Sequence, residues 1–435
     1  MASHYLLTIG LDNVNSTPNI STAQPISLAR GLGRWGLLAL TVNCVVGAGI
    51  LGLPGKVYAL AGDATLWVLV GAALLATATA LCLAELGSRF EGTGGPVEYC
   101  GVAFGRPAGF AAGWLLWTAT VLGAAALLNL VASLLAPAHR SETVLAVGAG
   151  MTVLAMTGIR QSAAASTALT LLKLALLTGF VVVGLAAAPM PALPPVAPMK
   201  LADALMLLFF AFVGFERPTA VAGEVVDARR ALPFALITGM TIVTVLYIGI
   251  FITCLRGVPD LVSSEQPVRA LAGRLFGPAV SGGLGWVAGL IVLGTMTTQW
   301  ITAPRLLLAL ARQGPMPTAL AKISARHTPD AAIILTGATA VILALTGDFV
   351  ASVAASSGTR LIVFIGCAAA LLRLRQSSSA PRAQFLLPAG TLVGITVVAA
   401  SSLLLVAAAA ELVRIAAILL FGVLLWVITK RFQKV

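Results

Sequence analysis

Three runs of about twenty residues, 66–84, 170–188 and 391–410, hold a single charged side chain among them, Lys173. At about 1.5 Å of rise per residue, a helix of roughly 20 residues crosses a hydrocarbon layer about 30 Å thick. Barrel strands would be shorter and polar on alternate residues, which these runs are not. In hydrocarbon, every backbone N–H and C=O must be paired within the segment, and a helix does this alone. The rest of the chain agrees: 59% of residues are hydrophobic and 10% charged, against about 45–50% and about 25% in soluble domains. The chain is therefore read as an all-α membrane protein.

Turn residues and charges divide it into twelve transmembrane helices, expected at 36–60, 65–86, 108–132, 143–159, 165–187, 201–222, 233–255, 281–309, 331–347, 350–372, 386–407 and 412–429. Residues 1–29 are rich in Ser, Asn and Thr and lack the basic start and apolar centre of a signal peptide. They read as a polar tail. An even number of spans places both termini on one side. Of 27 Lys and Arg, 18 lie toward that side and 7 toward the other, with Lys173 and Arg360 in mid-span. Basic residues favour the cytoplasmic face, so both termini are expected there. The net charge of +12 then follows from topology and implies no nucleic-acid partner. The five cysteines have no metal-type spacing and read as small buried hydrophobes. His4, His139 and His327 fall in tails or loops, and no paired-acid or His-rich motif lies in a span. An integral-membrane enzyme, which needs clustered catalytic groups, is disfavoured, and neither cofactor nor metal is expected.

Two spans are interrupted at matching places. The first carries Gly47-Ala48-Gly49-Ile50 followed by Pro54, and the sixth carries Val213-Gly214-Phe215-Glu216 followed by Pro218. Gly relaxes the backbone and Pro removes a helical hydrogen bond. At membrane depth such breaks are tolerated only where freed backbone lines a cavity or is buried in protein. Interrupted segments that open two groups of five spans point to an inverted-repeat transporter.

Four stretches carry a family resemblance: TVNCVVGAGILGLPGKVYALAG at 41–62, AELGSRFEGTGGPVEYCGVAFG at 84–105, FFAFVGFERPTAVAGEVVDARRALPFAL at 209–236 and WITAPRLLLALARQGPMP at 300–317. Together they resemble the amino acid–polyamine–organocation permeases. The resemblance implies two inverted five-helix repeats with broken first and sixth helices, plus two peripheral C-terminal helices. The expected organisation is a tail at 1–34, repeats at 35–188 and 189–374, and a peripheral segment at 375–435.

A free amino acid presents a carboxylate and an ammonium. The start of a broken half-helix offers unpaired N–H groups and a positive dipole end. The carboxylate is therefore assigned to backbone at Gly47, Ala48, Gly49 and Ile50. The ammonium is assigned to carbonyls freed at Val45, Phe210, Ala211 and Val213, and Gly214 is expected among the substrate-binding residues. Phe212, Met296 and Trp300 complete a mostly apolar surround, with Glu216 the nearby acid, and this favours neutral, rather apolar amino acids. An exporter or a carrier of cationic amino acids or polyamines is the alternative. The motifs specify no oligomeric state.

Lys173 in the fifth span and Arg360 in the tenth are costly in a bilayer and so call for a function. In related permeases a lysine in this span sits against the first-span break in place of sodium, which makes proton coupling or exchange the expectation. By inverted symmetry, Arg360 is expected at the sixth-span break, beside Glu216, in a coupling or gating role.

Overall fold

The computed structural model describes residues 28–187, 200–264, 266–314, 316–347, 349–407 and 412–432, with backbone alone for Ala48, 278–284, 349–355 and 430–432. Most of the expected N-terminal tail lies outside the described residues. Fifteen α-helices follow one another: α1 Arg34–Val45, α2 Leu53–Ala61, α3 Thr65–Gly87, α4 Pro96–Phe104, α5 Arg106–Leu135, α6 Arg140–Met156, α7 Ile159–Ala187, α8 Leu201–Phe212, α9 Ala228–Gly257, α10 Pro267–Phe276, α11 Pro278–Arg312, α12 Asp330–Thr346, α13 Phe349–Gln376, α14 Gly390–Ala407 and α15 Leu412–Phe432. Among the described residues there is no strand, only one parallel bridge between Leu32 and Val225, and nine helical stretches are long and apolar enough to cross a membrane. Trp67, Leu403 and Val413 point outward and are more than two-thirds exposed. Apolar surface of that extent suits lipid.

The broken elements sit inside the bundle. α1 packs on α7 and α9, α8 on α3, and α5 on α11 and α13, whereas α14 and α15 lie outside against α13 and α5. Two short helices, α4 and α10, were not expected from the apolar pattern. Both begin with Pro-Val and stop at a Phe-Gly whose glycine has positive φ, +93° at Gly105 and +85° at Gly277. Pro presets the first helical turn, and a positive φ suits Gly at a helix end. Each of these short helices leads into a long one, α5 or α11.

Buried ion pairs tie together the bundle end reached by the start of α1. Arg305 grips Glu224 through Nε at 2.7 Å and Nη2 at 2.9 Å. Glu85 accepts from Arg89 at 2.8 Å and from Arg375 Nε at 3.0 Å. Gly94 N–H donates to Ala220 O at 3.1 Å, and a Cβ on Gly95 would meet Thr219 Cβ at 2.8 Å. The turn after α3 is thus pressed onto the segment that follows α8.

Candidate substrate site

α1 stops where its sequence permits. Val46 N–H still donates to Val42 O at 2.9 Å, but Val46 (ψ 93°) and Gly47 (ψ 173°) are extended. A 3₁₀ turn, Ala48–Leu51, follows, and Pro54 opens α2. Gly47 and Gly49 do not have positive φ, so their dihedrals do not demand glycine. What sets them apart is space: a Cβ at either position would meet nothing within 4 Å. The backbone there is bare toward open volume.

The second break is built differently. α8 ends at Phe212, Val213 is extended (φ −65°, ψ 143°), and Gly214 has φ +132°. A Cβ on Gly214 would strike the Cys44 carbonyl, 2.8 Å from its carbon. Only glycine fits, because the two breaks touch there.

The freed carbonyls are largely occupied. Tyr247 on α9 places its hydroxyl 3.2 Å from both Val45 O and Ala211 O, bridging the ends of α1 and α8. Val46 O accepts from Lys173 Nζ at 2.7 Å and from Thr295 Oγ at 3.1 Å. Lys173 also lies 3.4 Å from Asn43 O. Cys44 O accepts from Arg217 Nη1 at 3.4 Å, and Phe210 O from Val213 N at 3.2 Å. Lys173 is therefore at the first break, on carbonyls and a hydroxyl, with its side chain buried.

Arg360 on α13 lies at the second break. Its Nε donates to Glu216 Oε1 at 3.0 Å, Nη1 to Ser356 O at 3.0 Å and to Ser356 Oγ, and Nη2 to Ala119 O at 3.3 Å. Glu216 Oε2 accepts the Gly214 N–H at 2.9 Å. The carboxylate thus holds the broken backbone with one oxygen and α13 with the other.

Of the expected side chains, Phe210 and Val213 are partly buried at the break, whereas Phe212 and Met296 are fully buried. The Phe212 ring packs on Tyr247 at 5.0 Å. Trp300 directs its indole N–H to Thr152 Oγ at 3.1 Å on α6, and a Cβ on Gly337 of α12 would come within 3.3 Å of that nitrogen. Its polar edge therefore faces α6 and α12. The residues that sequence reasoning passed over are Asn43, Arg217, Tyr247, Thr295 and Gln299. Three of them keep a buried polar atom without a hydrogen bond: Asn43 Oδ1, Arg217 Nε and Gln299 Oε1. Buried polar groups are normally paired, and these are two spare acceptors and one spare donor. Gln299, Ser356 and Arg360 converge over Gly123, whose Cβ would lie 3.3, 3.5 and 3.8 Å from them.

A cavity of about 440 Å³ reaches the first break, lined by Gly49, Leu51 and Gly52 together with residues of α2, α5, α8, α10 and α11. That is room for a small organic molecule. Among the described residues no group of His, Cys, Asp and Glu could hold a metal ion.

The sequence matches the family model described as amino acid permease over residues 32–428. It is 28% identical over 388 residues to an uncharacterized transporter of Mycobacterium tuberculosis, covering 86% of this chain and 87% of the relative. A branched-chain amino acid permease of Bacillus subtilis is 26% identical over 451 residues, covering 94% and 95%. A serine/threonine exchanger of the same organism is 28% identical over 345 residues, covering 74% and 78%.

Proposed function

The chain belongs to the amino acid permease family, and from that premise we propose that it is a secondary transporter moving amino acids across the inner membrane by alternating access. In this reading twelve spans form two inverted repeats, 35–188 and 189–374, after a tail at 1–34 and before two peripheral helices at 375–435. Both termini lie in the cytoplasm. The observation that carries the proposal is the meeting of two helix breaks: Gly214 lies against the Cys44 carbonyl, beside backbone at Gly47 and Gly49 that faces open space. A helix interruption exposes polar backbone at membrane depth, and a zwitterion needs such groups when it leaves water.

The substrate carboxylate sits on the N–H groups of residues 47–50. Its ammonium turns to acceptors at the breaks, and the spare Oδ1 of Asn43 and Oε1 of Gln299 add to the carbonyls of Val45, Phe210, Ala211, Val213 and Gly214. With the Arg305–Glu224 end closed and the cavity open at Gly49, the conformation faces outward. Transport requires that end to open and the cavity to collapse.

Coupling is to protons or to a counter-substrate. The Lys173 ammonium rests on the oxygens of Val46, Asn43 and Thr295, at the first break, where the family resemblance implies a lysine in place of sodium. Glu216 is already held by Arg360 and by Gly214, so no free carboxylate remains at the breaks for a cationic amino acid or polyamine. The test is uptake of labelled amino acids into liposomes carrying the purified protein. Accumulation driven by an inward proton gradient or by internal amino acid supports the reading, and an absence of uptake under both conditions overturns it.

A further inference from the structure

Around the two breaks the buried charges do not cancel. Lys173, Arg217 and Arg360 are each less than a tenth exposed, and the carboxylate among them is Glu216. The other two fully buried carboxylates have cations of their own, Arg305 for Glu224 and Arg89 with Arg375 for Glu85. Both oxygens of Glu216 are already engaged. Arg360 holds Oε1 at 3.0 Å, and the Gly214 N–H holds Oε2 at 2.9 Å. Arg217 is the more loosely paired cation and shares Glu216 with Arg360: its Nε makes no hydrogen bond and stands 3.8 Å from Glu216 Oε1, while Nη1 reaches Cys44 O at 3.4 Å. Lys173 rests on carbonyl dipoles and a hydroxyl, with no carboxylate among its hydrogen-bond partners.

The cavity that reaches the first break at Gly49 has the same sign. Among the described residues its lining includes Lys56 and Arg269 and no acid. Basic lining in a cleft with low-dielectric walls raises the local concentration of anions. A buried guanidinium without a full counter-charge is unfavourable, and its planar fork fits a carboxylate through two N–H bonds. The part missing from this site is one negative charge, beside Arg217 and the Cys44 carbonyl at the end of α1.

We infer that the transported amino acid carries a carboxylate in its side chain, with the α-carboxylate on the first-break turn and the second carboxylate on Arg217. This rests on the amino acid transport reading above and names a substrate class other than the neutral, apolar one suggested by the sequence. Such a substrate is a monoanion at neutral pH and reduces the local excess of positive charge as it binds. Arg217 is then a specificity residue that discriminates glutamate from its neutral isostere glutamine.

The experiment is competition in liposomes containing the full-length protein, with labelled L-glutamate, L-aspartate, L-glutamine, L-leucine and L-arginine, paired with the melting shift each induces in the purified protein. One of the two acidic amino acids is expected to compete at a concentration at least tenfold below glutamine and to give the largest melting shift. Arg217→Gln should lower the glutamate-to-glutamine preference at least tenfold, and Arg217→Lys should retain part of it. Transport of glutamine or leucine, with no competition or melting shift from either acidic amino acid, overturns this inference and leaves amino acid transport standing. If none of the five is bound or carried, this inference falls, and the liposome uptake test given above decides the transport reading. An acidic preference unchanged in Arg217→Gln overturns the assignment to Arg217. The melting shift on the unaltered protein decides the substrate class even if the variants fail to fold.

Discussion

Arg360 donates its Nε–H to Glu216 across 3.0 Å, and both side chains are buried, at 3% and 0% exposure. The pair joins α13 to the turn that follows α8. Removing one partner strands a buried charge, which typically costs about 3–5 kcal/mol, whereas replacing both with neutral groups costs less. Arg360→Ala and Glu216→Gln are each expected to reduce transport and lower the melting temperature, and the double variant should be little worse than the poorer single one. Strictly additive losses in such a cycle would mean that the two residues do not act together. Because Glu216 Oε2 also holds Gly214 N, Glu216→Gln should loosen the broken backbone even when Arg360 is already gone, which leaves a small residual loss.

The two glycine breaks should respond differently to substitution. Gly214 has φ +132°, and a Cβ there runs into Cys44. Left-handed backbone in a non-glycine residue costs of order 1–3 kcal/mol, and overpacking about 1–3 more. Gly214→Ala is expected to lower the melting temperature and the yield of folded protein. Gly49 meets nothing within 4 Å, so Gly49→Val should fold and insert while its side chain fills the space assigned to the substrate carboxylate. Binding at least tenfold weaker, with an unchanged melting temperature, is the expected outcome. Normal binding in Gly49→Val would remove the carboxylate from that turn.

The breaks were legible because Gly-x-Gly followed by Pro is a local signal, and α1 does stop at Val45 and α8 at Phe212. The mid-span positions of Lys173 and Arg360 were legible too, since a charge in an apolar run is conspicuous and its depth follows from counting residues. What occupies each freed carbonyl was not. Tyr247 and Thr295 are ordinary polar residues in apolar helices, and only the packing of α9 and α11 against the breaks brings them there. The short helices α4 and α10 did leave a trace, the repeated Pro-Val start and Phe-Gly stop, but ten-residue amphipathic pieces carry no membrane-length apolar run. In sequence the glycines at 47 and 49 read as relaxing the backbone, whereas neither has positive φ and a Cβ at either position would meet open space.

Lys173 occupies an oxygen-lined position between α1 and α11, 2.7 Å from Val46 O and 3.4 Å from Thr295 Oγ. An ammonium there excludes a second cation by direct repulsion. Sodium should therefore not drive uptake in the unaltered protein. Lys173→Ala should flatten the dependence of uptake on external pH and reduce its rate at least tenfold. A steep sodium requirement in liposomes would contradict this arrangement.

Glu98 offers a test of stability away from the spans. It lies on α4, accepts the Gly92 N–H, and keeps Oε2 buried without a hydrogen bond. Burial raises its carboxyl above the usual range, with the Gly92 N–H pulling it back. A carboxyl whose folded-state pKa is raised binds its proton more readily in the folded chain than in the unfolded one. It therefore destabilises progressively as pH climbs from the unfolded value through the folded one. A buried polar group left unpaired costs of order 1–3 kcal/mol, and the glutamine isostere removes the charge while keeping the shape. Glu98→Gln is expected to melt a few degrees above the unaltered protein at pH 8, with the gap closing toward pH 4 as the native carboxyl takes up its proton. A gap that stays constant, or widens toward low pH, would show that the charge on Glu98 is not the source of the difference.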